Sequence, residues 1–246
     1  MDEEALYQTI FKRKSVRNYE KAQLDVATLS EMDAFLKTIR PMVPGIKTEM
    51  RVVDSSKVKG MFKVDAPHFL AFFSEVKEGH LTNAGFMLQQ VDLHLSSAGI
   101  GSCWQGGPKP VKDVVGPPGL EFIIALAFGR PAEGNQRADV SEFKREPMAK
   151  ITSFQGSDPY LEAARLAPSA MNNQPWYFSR NDGTIEAFSA RSLLLNKMNH
   201  ISMGIALCHI WLAAMHDGKN VEFTLGGKAG SAPPKGYANE CILTLR

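Results

Sequence analysis

Apolar positions recur at helical spacing over Glu3 to Lys12, with Leu6, Ile10 and Phe11 inward, and again at Leu29, Met32, Leu36 and Ile39. A loop at Pro41 to Gly45 follows. Thr48 to Val53 and His68 to Ser74 are rich in apolar and β-branched residues and read as strands. The second hardly alternates, which predicts burial on both faces. Thr82 to Ala98 predicts a longer helix, with Met87, Leu88, Val91 and Leu95 on one face and Gly99 as its stop. Glu121 to Phe128 is another buried strand. Asp158-Pro159 starts a further helix, with Asp as N-cap and Pro in the first helical position, and Pro168 ends it near Leu166.

The pattern repeats. "NAGFMLQQVDLHLSSAG" (Asn83 to Gly99) aligns with "SMGIALCHIWLAAMHDG" (Ser202 to Gly218) at an offset of 119, pairing Gly85 with Gly204, Leu88 with Leu207, Leu93 with Leu212 and Gly99 with Gly218. The same offset carries "EFIIAL" from Glu121 onto "ECILTL" from Glu240. Two separate segments sharing one offset imply an internal duplication. The expected architecture is α+β: a first half over 1–150 and a shorter second half over 151–246, packed as one unit about a pseudo-two-fold axis, as a fused dimer would be. The halves differ where the sequence is most unusual. "RKSVRNY" (Arg13 to Tyr19) has no counterpart before Asp158, and "GIGSCWQGG" faces only "GKNVEFTLGG". "ARLAPSAMNNQPWYF" (Ala164 to Phe178) answers the plain "RPMVPG" of the first half.

With 246 residues, 44% hydrophobic and 22% charged, the composition is that of a globular protein with a sizeable core. A net charge of +2, with basic residues dispersed, disfavours nucleic acid as a partner. The acidic start, Met1-Asp2-Glu3-Glu4, is unlike a signal peptide, and the longest apolar run, Phe122 to Phe128, is too short to span a bilayer. A cytoplasmic, membrane-free monomer is expected. Cys103, Cys208 and Cys241 are odd in number and far apart, which argues against a disulfide framework or a zinc site and for reduced, buried thiols.

Three stretches carry candidate chemistry. "FKRKSVRNY" gathers Arg13, Lys14 and Arg17 around Ser15, a set able to hold a phosphate, though cations also suit a solvated helix end. "GIGSCWQGG" reads as a Gly-rich loop whose amides could approach a ligand beneath Trp104, or as a helix cap and turn. It follows a helix, so it is not a dinucleotide fingerprint. In the third, Pro168 and Pro175 stiffen a loop whose Asn172 and Gln174 could meet a ring edge of alternating donors and acceptors, as in a flavin pyrimidine. The alternative is an Asn-rich turn anchored in the core by Trp176, where a strand begins. None of the six histidines forms a triad pattern, and His200 and His209 read as core or surface residues.

Together these stretches resemble the nitroreductase-type FMN-dependent oxidoreductases. "RKSVRNY" resembles their RRSxRxF motif, "APSAMNNQPW" their APSxxNxQPW motif and "GIGSCW" their GLGTCW segment. "AFGRPAEGNQ" followed by "FKREP" resembles their closing GxP and RKP elements. In the common family the first two motifs lie about 30 residues apart and FMN sits at a dimer interface, whereas here the duplication separates them. The match is to a branch whose single chain mimics the dimer. The resemblance implies one composite FMN site. Arg13, Ser15, Arg145 and Lys144 would hold the phosphate, and Arg17 would stand by the phosphate or the N1/O2 edge. Pro168, Ser169, Ala170 and Asn172 would line the ring and ribityl chain, and the backbone of Gln105 and Gly106 would lie near N5. Lys57, Lys59 or Lys63 would add a further cation. It also implies NADH or NADPH as reductant and a small-molecule acceptor such as a nitro compound or quinone. A flavin carrier or sensor without turnover, and a scaffold that has lost its flavin, are the alternatives.

Overall fold

A computed structural model describes residues 2–181, 183–227 and 230–246. The first half runs α1 (Glu3–Ile10), α2 (Val26–Leu36), β1 (Thr48–Asp54), β2 (Val58–Lys59), β3 (His68–Ser74), α3 (His80–Ser97), β4 (Gly101–Gln105), β5 (Lys109–Pro110) and β6 (Glu121–Gly129). The second runs α4 (Met148–Ile151), α5 (Pro159–Arg165), β7 (Trp176–Asn181), β8 (Thr184–Ala190), α6 (Asn196–His216), β9 (Val221–Leu225) and β10 (Tyr237–Leu245). Helix starts follow local chemistry: the Asp158 carboxylate accepts from the amides of Tyr160 (2.9 Å) and Leu161 (3.0 Å), with Pro159 in the first turn.

Two antiparallel sheets form, in the orders β1-β3-β6-β4 and β7-β8-β10-β9. The orders are the same under the repeat, β6 matching β10 and β4 matching β9. α3 packs on the first sheet and α6 on the second, and the two helices pack against each other between the sheets. A single apolar core therefore runs through both halves, from Leu70 and Phe72 across Leu88 and Leu207 to Leu243. The β3 strand fails to alternate because Phe69, Ala71 and Phe73 bury in a second cluster on the other face, with Val16 and Tyr19.

"GIGSCWQGG" departs from the loop expected of it. Its centre is β4, paired with β6 from Gly101 opposite Gly129 to Gln105 opposite Ala125. On its other edge Ser102 O accepts from Val16 N at 2.9 Å, and a Cβ on Gly101 would lie 2.8 Å from the Val16 side chain. The glycine serves close strand packing, and the sequence "RKSVR" is drawn onto the sheet edge.

The helix crossing is closer still. A Cβ on Gly85 would fall 2.0 Å from Ile201 O, and one on Gly204 would fall 1.9 Å from Thr82 O. The offset of 119 turns each contact into the other. α6 is long and apolar enough to cross a membrane, with a mean hydropathy of 1.3, but 83% of that stretch is buried here. It is apolar all round because the fold covers every side. Cys103, Cys208 and Cys241 are all free and buried.

His209, fully buried on α6, links three helices: Nδ1 meets Ala163 O at 2.8 Å and Nε2 meets Gln89 Nε2 at 3.1 Å. Gln89 donates to Nε2, so Nδ1 carries the proton and the ring is neutral. Burial lowers its pKa to about 3.

Two outcomes follow. Gly204→Ala forces a methyl into a backbone carbonyl and is expected to lower stability by about 3 kcal/mol or more; an unchanged urea midpoint contradicts the crossing. His209 has a folded pKa below its unfolded value near 6.5, so its stabilisation is complete above pH 6.5 and declines as pH falls toward 3. Urea midpoints should drop from pH 7 to pH 5, and His209→Gln should flatten that drop.

Candidate active site

One cleft opens where the first half's segment after α1 and strand β4 meet the second half's loop after α5 and helix α6. It has two lobes that share Ser15, Arg17, Pro168, Ser169 and Met171. The apolar lobe, about 340 Å³, is walled by Trp104, Gly106, Ile124, Leu195, Met198, Ile201 and Ile205, with Ala170 and Ser202. The basic lobe, about 490 Å³, is bordered by Arg13, Arg137, Lys144 and Arg145, with Asn172 and the carboxylate Glu142. An apolar slot ending in cations suits a flat ring that carries an anionic tail.

Arg13 reaches this lobe as a buried anchor. It is 1% exposed, its Nε lies 3.0 Å from Asp92 Oδ2 on α3, and its Nη2 donates to Ser15 Oγ at 3.0 Å. Asp92 also accepts from Ser102 Oγ at 2.5 Å. Arg13 and Asp92 thereby fix the Ser15 hydroxyl at the junction of the lobes. Lys14 is half-buried and is not among the residues lining either lobe, whereas Arg17 lines both.

Arg145 donates to Asn172 Oδ1 (2.7 Å) and Leu166 O (3.0 Å), while its buried Nε has no partner. Burial, and then the neighbouring Arg13, Arg137 and Arg165, lower its pKa to about 10. Arg137 stacks 4.1 Å from the Phe143 ring, and burial followed by Arg13 lowers its pKa too. Guanidiniums that repel one another out of water form a site of positive potential that an anion relieves. Sequence reading missed Arg137. Its only signal is tertiary: Arg137 donates to the carbonyls of Lys12 and Arg13.

In the loop from Ala167 to Pro175 the amide side chains act as clamps. Asn172 Nδ2 donates to Lys144 O (2.8 Å) while its Oδ1 takes Arg145. Gln174, 7% exposed, accepts from Glu146 N (2.8 Å) and donates to Asn172 O (3.1 Å). These amides fasten the loop to the "FKREP" segment instead of facing a ring edge. Ser169 Oγ accepts from Gln174 N (2.9 Å), and Ala170 N donates to Ser202 Oγ on α6 (3.2 Å). Met171, Asn172 and Gln174 hold φ of 52°, 58° and 49°, left-handed positions interrupted by right-handed Asn173, each costing on the order of 1–3 kcal/mol, least for Asn. The strained turn presents Pro168, Ser169 and Ala170, all small or rigid, to the cleft. Trp176 is fully buried and anchors the turn in the core.

On β4, Trp104 lines the apolar lobe and its buried Nε1–H has no partner. The Gln105 side chain is taken up elsewhere, accepting from Val64 N (3.1 Å) and donating to Trp104 O (3.0 Å). Gly106 faces Met198, whose sulfur would lie 3.0 Å from an added Cβ. The lysine candidates are not brought in: Lys57 pairs with Asp113 (2.9 Å), Lys63 donates to Ser55 O (2.6 Å), and Lys59 borders a separate hollow with Lys57. The wall from α6 was read only as core, yet Met198, Ile201, Ser202 and Ile205 keep the spacing of one helix face. No histidine lines either lobe; His200 pairs with Glu240 (2.6 Å) and His216 with Glu4 (2.7 Å). Among the described residues no cluster of metal-ligating side chains occurs.

The repeat defines an image of this cleft, and aromatic side chains fill it. Under the offset, Ile205, Trp104 and Asp92 correspond to Phe86, Phe223 and Trp211. Phe86 packs 5.3 Å from both Trp211 and Phe223, and Arg40 lies 5.8 Å over Trp211. Asn83, the image of Ser202, accepts from Met42 N and Val43 N at 2.8 and 3.0 Å, holding the plain loop in place.

A family model and several solved structures resemble this chain. The family model described as "Putative TM nitroreductase" matches residues 5–214. A solved protein from Thermotoga maritima, described as a "putative nitroreductase", superposes with a TM-score of 0.65 at 21% identity, covering 98% of this chain and 93% of its own. A nitroreductase family protein from Clostridium difficile gives 0.48 at 17% identity, over 62% of this chain and 98% of its own. A nitroreductase with bound FMN from Desulfitobacterium hafniense gives 0.43 at 14% identity, over 60% and 100%. Comparison with curated proteins gives no match. With its family model spanning most of its length and its duplicated α+β fold shared with the Thermotoga protein, this chain belongs to the TM-type nitroreductase family.

Proposed function

We propose that the chain is an FMN-dependent oxidoreductase that takes electrons from NADH or NADPH and passes them to a small acceptor, a nitro compound or a quinone. The observation that carries this reading is a cleft joining an apolar slot to a lobe in which Arg13, Arg17, Arg137, Lys144 and Arg145 outnumber Glu142, the one carboxylate bordering it among the described residues, with Asp92 taken up by Arg13. Family membership supports it. With a quinone the sum is NAD(P)H + H⁺ + quinone → NAD(P)⁺ + quinol, and the flavin, when bound, supplies two-electron chemistry at its N5.

The residues fit such a cofactor in two respects. Orphaned buried donors, Trp104 Nε1 and Arg145 Nε, stand at the two lobes. The arginine pKa values are held down until an anion arrives. Arg17, Arg137, Lys144 and Arg145 would hold the phosphate, with Ser15 oriented by Arg13 and Asp92. Pro168, Ser169 and Ala170 would lie along one side of the ring, and Trp104, Ile124, Ile201 and Ile205 would exclude water. A core already formed between two halves of one chain supports a monomer. Three free, buried thiols support a reducing, cytoplasmic setting.

Titrating FMN into the purified chain tests the reading: a yellow complex is expected, and anaerobic NADH or NADPH should bleach it. A protein that takes up no FMN contradicts the reading, and a flavin that stays oxidised favours a carrier. Arg17→Ala should weaken FMN binding tenfold or more, through loss of a charge-assisted contact. Asp92→Asn leaves Arg13 buried and unpaired, and should lower stability of the flavin-free chain by about 3–5 kcal/mol in urea unfolding.

A further inference from the structure

The fold leaves several large apolar side chains in water on segments that adjoin the wall of the apolar lobe. Phe62 is 92% exposed, Met61 79%, Met171 73%, Leu193 104% and Leu194 93%. Scattered exposed apolar residues are ordinary, but several on segments adjoining one lobe are not. Each segment is tied to the wall of the lobe. Met171 lines it directly, and Leu193 and Leu194 run into Leu195, which also lines it. The Gly60–Phe62 turn lies on the end of β4: a Cβ on Gly107 would be 3.0 Å from Met61 O, and one on Gly60 would be 3.2 Å from Gly107 O. The adjoining Gly106 is part of the wall against Met198.

Two of these side chains sit on unfavourable backbone. Phe62 has φ of 60° and Met171 φ of 52°. Asn or Gly would relieve that strain, and a polar residue would suit the exposure, so local stability does not explain a phenyl ring at position 62. Arg17, at the junction, is the one cation among the described residues lining the apolar lobe, and the remaining lining is largely apolar, which suits an uncharged acceptor better than an anionic one. Five side chains are also far fewer than the roughly 20–30 per side of a stable protein interface. A small ligand suits them better than a second chain.

We propose that Met61, Phe62, Leu193 and Leu194, with Met171, form an apolar rim that selects an uncharged, planar acceptor bearing an alkyl or aryl substituent, of the substituted quinone class. The inference rests on the proposed flavin site, beside which such an acceptor must lie. The ring enters the apolar lobe and its substituent remains against the rim, so Met61, Phe62, Leu193 and Leu194 contribute to acceptor affinity and not to FMN binding, while Met171 also lines the flavin cleft. The overall reaction is the two-electron, two-proton reduction of quinone by NAD(P)H written above.

The test uses the FMN-loaded chain with Phe62→Asn and with the double variant Leu193→Ser/Leu194→Ser. Calorimetric dissociation constants and KM are measured for 1,4-naphthoquinones with alkyl substituents of increasing length, and KM for hexacyanoferrate(III), a small anion. Wild-type affinity should rise with substituent length. Each variant should flatten that trend and weaken the longest quinone about tenfold. The hexacyanoferrate KM should move less than twofold. Phe62→Asn should melt no lower than wild type, because Asn accepts the left-handed backbone. Equal quinone affinities in wild type and variants, or an equal loss for hexacyanoferrate, overturn the rim while leaving the flavin site standing. A chain that takes up no FMN overturns the flavin site, and this inference with it.

Discussion

Everything in this molecule is placed by the backbone contact between α3 and α6. Two glycines, one per half, let each helix rest on a carbonyl of the other, with Gly85 against Ile201 and Gly204 against Thr82. No side chain larger than hydrogen fits at either point. The contact fixes how the sheets face each other, and so where β4 of one half meets the loop and helix of the other. A shift of either helix would part the walls of the cleft, since Ile201, Ser202 and Ile205 flank the crossing itself.

Around that crossing the duplication has been used asymmetrically. The open cleft takes the cations of its basic lobe from the first half and a strained loop from the second. The image cleft takes aromatic side chains at the corresponding positions, and a plain loop held by Asn83. The exchange of Asp92 for Trp211 shows the division most clearly. One position keeps a buried carboxylate to neutralise Arg13, and its counterpart, with no such arginine to hold, fills space. Strain and charge are confined to the side with the opening. Left-handed Met171, Asn172 and Gln174 and the depressed pKa values of Arg137 and Arg145 are both states that packing elsewhere must sustain.

Much of the fold was legible from residue order alone. Period and capping located β3, α3, α5 and the start of β7, because these signals act within a few residues: Asp158 caps the helix it precedes, and a strand buried on both faces does not alternate. The offset of 119 was legible for the same reason that repeats always are, since duplicated helices must keep the same glycine at the same crossing. The stretches that supply the cleft's cations and its strained loop were also legible as motifs, except for Arg137.

What the sequence could not decide was where side chains point. Asn172 and Gln174 look like ring-edge ligands in a string of letters, but the nearby carbonyl of Lys144 and amide of Glu146 take their hydrogen bonds first. Arg13 looks like an exposed phosphate ligand until Asp92, 79 positions on, draws it into the core. Glycines suggesting a loop at β4 instead admit Val16. Arg137 enters the cleft only through the carbonyls of Lys12 and Arg13, and the wall of α6 is a lining face only because a lobe happens to open there. Sequence by itself determined most of the helices and buried strands, the duplication and the residue types gathered at the cleft, because those follow from short-range geometry and repetition. Tertiary structure alone decided which polar groups remain for a ligand, because hydrogen bonds and ion pairs form between whichever partners the fold brings within about 3 Å.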